Sequence, residues 1–162
     1  MIKLSQFILI VSTLLSSWFA MQAVHEFGHV VGARLSGAQV TRVVLHPLTT
    51  SRTEVGLNPH QLIVVWCGPA IEVSLPVVCW GIVSRLRFSW AFLVRFFAGF
   101  CCLANGLYIG IGSFGAIGDC SDMLRHGSSI WQLWLFGAIA ALSDLLLGNG
   151  QGQNFGLEKN QR

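Results

Sequence analysis

Charge is what this sequence has least of. Asp, Glu, Lys and Arg make up only 10% of its 162 residues, while 53% are hydrophobic; a soluble domain carries about 25% charged residues. That scarcity excludes an ordinary water-soluble globule. The chain has no basic tract suited to nucleic acid, so no nucleic-acid partner is expected. Its five cysteines, Cys67, Cys79, Cys101, Cys102 and Cys120, lack the paired spacing of a disulfide framework or a CxxC zinc site and read as packing residues. There is no internal repeat. No polar segment is long enough for a soluble recognition domain, so any binding selectivity must come from a cavity within the apolar part, from a short loop element, or from an adaptor or second copy of the chain.

What the sequence does have is long apolar runs. Leu4 to Val24 contains no charged side chain, and about 20 apolar residues suffice for a helix to cross a bilayer. Gln61 to Val83 contains only Glu72, Phe88 to Ile117 only Arg95, and Ser128 to Leu147 only Asp144. The predicted fold is an all-α polytopic membrane protein with about four transmembrane helices. Gly106, Gly110, Gly112, Gly115 and Gly118 predict that the third helix loosens into irregular backbone near its end, which survives at membrane depth only when shielded by protein. Trp131 and Trp134 suit an interfacial belt. Between spans one and two, Val40 to Leu45, then Pro47, Thr53 and Val55, predict a short membrane-associated β-hairpin. Residues 1–147 are read as one membrane domain and 148–162 as a polar, disordered tail. The N-terminal run has the parts of a signal peptide, yet the later spans already require a multi-pass protein of the cell's inner or plasma membrane.

The chemistry is carried by His25-Glu26-Phe27-Gly28-His29, a HExxH pattern. Residues four apart share one helix face, so His25 and His29 can offer imidazole nitrogens to one metal while Glu26 points toward its water. Catalytic zinc takes three protein ligands and a water, so a third donor is needed. Spans one and three run the same way across the bilayer, and Asp119 follows span three, which brings its carboxylate to the depth of the histidines. Asp122, Glu72 and Glu54 are the alternatives. His46, His60 and His126 read as interfacial or loop residues. The GxxxG spacing of Gly28 and Gly32 fits close packing of span one on span two or three.

In this order the elements resemble the site-2 protease family of intramembrane zinc metalloproteases, in its small minimal form. HEFGHVVGARLSG is similar to the family's motif helix, CGPAIE (67–72) to its Gly-Pro element, and Asn105 with Gly118-Asp119 to its asparagine and metal-binding aspartate. The resemblance covers residues 10 to 125. It implies one Zn2+ per chain on His25, His29 and Asp119, Glu26 as general acid and base, and Asn105 either binding the extended substrate or developing oxyanion or simply bridging helices. The implied substrate is a transmembrane protein or peptide, unwound before hydrolysis, and the strands of residues 40 to 56 offer an edge with which it could pair. It also implies a site open to the cytoplasm with the N-terminus outside, whereas the balance of Lys3, Arg85, Arg87, Lys159 and Arg162 against Arg34, Arg42, Arg52 and Arg125 leans the other way by one residue. Two other readings stand beside it: a zinc hydrolase of an amphiphilic small substrate, and a metal-binding scaffold without catalysis.

Overall fold

The computed structural model describes residues 3–48 and 51–157. In chain order they form α1 (Leu4–Leu35), β1 (Val40–Val44), β2 (Arg52–Val55), α2 (Gln61–Arg85), α3 (Ala91–Gly115), α4 (Asp119–Arg125), α5 (Ile130–Gly148) and α6 (Gln151–Asn154). Four of these helices, α1, α2, α3 and α5, are long and apolar enough to cross a membrane. Their outward faces are apolar as well. Leu4, Phe7, Ile8, Leu15 and Phe19 of α1 and Leu142, Leu145 and Leu146 of α5 are all exposed, a surface that would drive aggregation in water and that suits lipid.

The hairpin forms where Val40 to Leu45 predicts it. β1 and β2 are antiparallel, with Val40 opposite Val55, Val43 opposite Thr53 and Val44 opposite Arg52, and a register shift between Val40 and Arg42. Val40 and Val55 pack on the buried cluster of Ala33, Ala38 and Val64, which seats the hairpin on the ends of α1 and α2.

Two helix–helix seams position the site. Along the first, α1 lies antiparallel on α2, with Gly28 against Cys67 and Gly68, and Gly32 against Val64 and Cys67. A side chain at Gly32 would come within 2.9 Å of the Val64 Cα, so the GxxxG spacing serves backbone approach to the second helix. Along the second, Gly106 and Gly110 of α3 meet Gly137 and Ala141 of α5. This corrects one expectation. Gly106, Gly110 and Gly112 do not loosen the helix; α3 stays helical to Gly115, with Gly106 and Gly110 used for packing. Irregular backbone comes only after it, at Ala116 with φ 46° and at Gly118 with φ 55°.

The tail also departs from expectation. Instead of being disordered from residue 148, the chain forms α6 and buries Phe155 against the rings of Phe92 and Phe96, at 5.8 and 5.4 Å between centroids. The Gly156 carbonyl accepts a hydrogen bond from Gln6 Nε2 at 3.0 Å, tying this segment to the start of α1. One aromatic residue in a polar stretch supplies the burial that composition alone did not suggest. Residues 158–162, with Lys159 and Arg162, lie outside the described residues. Arg95, the charge near the start of α3, donates to the carbonyls of Leu146 and Asn149 and so caps the end of α5.

Candidate metal centre

α1 runs for 32 residues, about 48 Å at 1.5 Å per residue, and His25 lies about 32 Å along it. At that level α1 faces α2 on one side and the junction of α3 and α4 on the other. His25 Nε2 is 2.8 Å from Asp119 Oδ2 and 3.0 Å from His29 Nε2, and His29 Nε2 is 3.5 Å from the same Asp119 oxygen. The sequence separation is 94 residues. The three donors predicted from spacing and topology therefore meet.

The opposite edge of each imidazole fixes which nitrogen is available. His29 Nδ1 lies 2.9 Å from the Val64 carbonyl, which can only accept, so Nδ1 carries the proton and Nε2 keeps its lone pair. His25 Nδ1 lies 2.7 Å from Glu72 Oε2, again an acceptor. With Nε2 unprotonated on both rings, two lone pairs and a carboxylate oxygen converge on one point. A single proton on His25 Nε2 can lie along only one of these lines, whereas a cation between them serves all three. Zinc with bonds of 2.0–2.1 Å would hold tetrahedral donors about 3.3 Å apart; separations of 2.8, 3.0 and 3.5 Å need only small adjustments. His25, His29 and Asp119 fit such an ion.

Local sequence explains each placement. Gly68 gives the His29 ring its space: a Cβ there would come within 2.9 Å of Nδ1 and closer still to Cε1. Pro69, buried next to it, lacks the amide that would bond the Val65 carbonyl, so this turn of α2 is not fully laced. Asp119 opens α4 behind Gly118, whose φ is 55°. A side chain at Gly118 would strike the Tyr108 hydroxyl, and that hydroxyl accepts the Asp119 backbone N–H at 3.0 Å. Cys120 is fully buried, and its thiol reaches back to the carbonyls of Tyr108 and Ile109 at 3.5 and 3.6 Å, pinning α4 on α3. Burial, with Asp119 alongside, raises the Cys120 thiol to about 11.

The alternative carboxylates lie away from the point where these three donors meet. Glu72 is buried and meets the far nitrogen of His25, where it can orient the ring. Asp122 is half-buried and lines the cavity but pairs at 3.8 Å with Arg125, and Glu54 pairs with Arg52 at 3.0 Å. His46, His60 and His126 sit at turns and helix ends.

Glu26 is 3% exposed, and its Oε2 accepts the Thr53 hydroxyl at 2.6 Å. Asn105 is 1% exposed and donates weakly to the Cys101 carbonyl at 3.4 Å, while its Oδ1 has no partner. Both line the same cavity of about 800 Å³ as His25, His29 and Asp119, walled by α1, α2, α3 and the hairpin. Sequence reasoning singled out Gly68 as part of the Gly-Pro element and Thr53 as part of the hairpin, but not their contacts with His29 and Glu26, and it missed the placement of Glu72 against His25 Nδ1 and the role of Tyr108. Glu72 had a signal, a carboxylate within an apolar span; the contacts themselves depend on how separate elements pack. Comparisons with protein-family models, with curated proteins and with solved structures return no match.

Proposed function

We propose that this chain is an intramembrane zinc endopeptidase of the site-2 protease type, hydrolysing peptide bonds of single-span membrane proteins. The observation that carries this reading is the convergence of His25 Nε2, His29 Nε2 and Asp119 Oδ2 beside the Glu26 carboxylate, in a cavity bounded by helices apolar enough to span a bilayer. A zinc ion held by these three residues supplies a water of lowered pKa and polarises a carbonyl. The protein's own groups do the rest. Glu26 is the buried carboxylate next to the ligands and takes the proton, then returns it to the leaving amine. Asn105, with uncommitted hydrogen-bonding capacity, holds the substrate backbone or the developing oxyanion.

Substrate must reach the cavity in extended form, since a peptide bond inside a helix is already hydrogen-bonded and hidden. The hairpin suits that need: Ser51, Arg52 and Thr53 line the cavity, and a two-stranded sheet keeps free edges for pairing. The site opens toward the cytoplasm and the N-terminus lies outside, on the strength of the resemblance.

The test is cleavage of a fluorophore-quencher peptide containing an apolar segment of about 20 residues by the purified chain loaded with zinc. Wild type cleaves it, and Glu26→Gln retains stoichiometric zinc with cleavage reduced by at least about 100-fold. Cleavage undiminished in Glu26→Gln removes the proposed role of Glu26, and wild-type inactivity removes the peptidase reading.

A further inference from the structure

Three residues of α1 lace the hairpin to the helix. Trp18, Gln22 and Glu26 are spaced four apart and therefore share one face. Trp18 Nε1 donates to the Pro47 carbonyl at 3.0 Å. The Gln22 amide lies 2.6 Å from Ser51 Oγ, and with its nitrogen turned that way it also reaches the His46 carbonyl at 3.0 Å. Glu26 completes the row by accepting from Thr53 on β2. The first two contacts are tethers that any pair of polar groups could supply. The third ties the hairpin to the one carboxylate that the peptidase reading assigns to proton transfer.

Its geometry is that of an orienting contact. Thr53 has one hydroxyl proton, and it points to Glu26 Oε2 at 2.6 Å; the Glu26 carbonyl is farther, at 3.4 Å. Glu26 Oε1 has no protein partner among the described residues and is left for the cavity. A glutamate has three side-chain torsions to freeze, while threonine is β-branched and stiff at χ1. A hydroxyl on a strand therefore fixes a carboxylate that its own helix leaves mobile. We infer that Thr53 is a positioning residue for Glu26: its hydroxyl holds one carboxylate oxygen and presents the other to the cavity, so that seating of the hairpin is a condition of catalysis. This rests on the peptidase reading above.

The test uses the full zinc-loaded chain in detergent micelles with fluorescein-labelled casein as a generic unfolded probe. Thr53→Val, which keeps the shape and removes the donor, lowers kcat about 10- to 100-fold, the loss expected for one hydrogen bond to a charged group. KM and zinc stoichiometry stay unchanged, and Thr53→Ser recovers activity to within about threefold of wild type. Equal losses in the valine and serine variants, an effect confined to KM, or a rise in kcat each overturn the inference; a rise would mark the hydroxyl as a latch.

A second readout needs no turnover. Hydrogen exchange of the β1 and β2 amides accelerates in Thr53→Val and in Glu26→Ala, and the double variant exchanges no faster than either alone, because one shared contact is lost in each. Unchanged or additive exchange overturns the coupling. Failure of wild type to cleave casein would count against the peptidase reading, and the exchange measurement would still decide whether Thr53 and Glu26 act as a unit.

Discussion

Replacing Glu72 by leucine removes the carboxylate oxygen 2.7 Å from His25 Nδ1 while leaving all three proposed ligand atoms in place. The ring then loses the acceptor that fixes its tautomer, and Nε2 is no longer held with its lone pair toward His29 and Asp119. Losing such an orienting partner costs about 10- to 100-fold in metal affinity, equivalent to about 1.4–2.7 kcal/mol. Stability should fall as well. Glu72 is 3% exposed and holds the His25 Nδ1–H at 2.7 Å, so leucine leaves a buried donor without its partner and the metal-free protein melts at a lower temperature. Glu72→Gln offers an uncharged acceptor of the same shape and falls between wild type and leucine in affinity. The assay is zinc competition against a chromogenic chelator in detergent micelles, with thermal melts of the metal-free forms and Asp119→Ala measured alongside. Asp119→Ala, which removes a donor atom itself, loses more affinity than Glu72→Leu. The reasoning is refuted if Glu72→Leu binds zinc like wild type, or if it abolishes binding while Asp119→Ala does not.

Gly68→Ala places a methyl group against the His29 ring; overpacking at such a site costs about 1–3 kcal/mol, so both melting temperature and zinc affinity fall, and a variant matching wild type in both would show that the ring has room to move. The Cys120 thiol, raised to about 11 and fully buried, is protonated throughout the neutral range. Since only the thiolate reacts, iodoacetamide at pH 7.5 leaves Cys120 unmodified in the folded protein, as peptide mass spectrometry can follow; stoichiometric labelling without unfolding would contradict its burial.

Much of the fold could be read from uncharged length. Four runs, one uncharged and three carrying a single charge each, mark the four long helices, and the Val-rich stretch before Pro47 marks β1, because hydrophobic length and alternation are local properties. The glycines of span three show where local reading stops. Glycine marks both irregular backbone and close packing, and only the facing Gly137 decides between them. Phe155 makes the same point in the tail: its burial depends on Phe92 and Phe96, about sixty residues earlier in a different helix.

The sequence by itself determined that His25 and His29 share a helix face with Glu26 on the flank beside it, and it placed Asp119 after a third apolar run expected to lie parallel to the first, since helical periodicity and alternating topology are local properties. Tertiary structure alone decided which carboxylate faces the converging Nε2 atoms of His25 and His29 and which one meets the far edge of the His25 ring. Asp119 and Glu72 meet opposite edges of the same imidazole, a distinction of a few ångströms set by how α2 and α4 pack against α1. It also decided that Thr53 holds Glu26, because a strand outside the helical core reaches the motif only after the hairpin folds back onto the helix that precedes it.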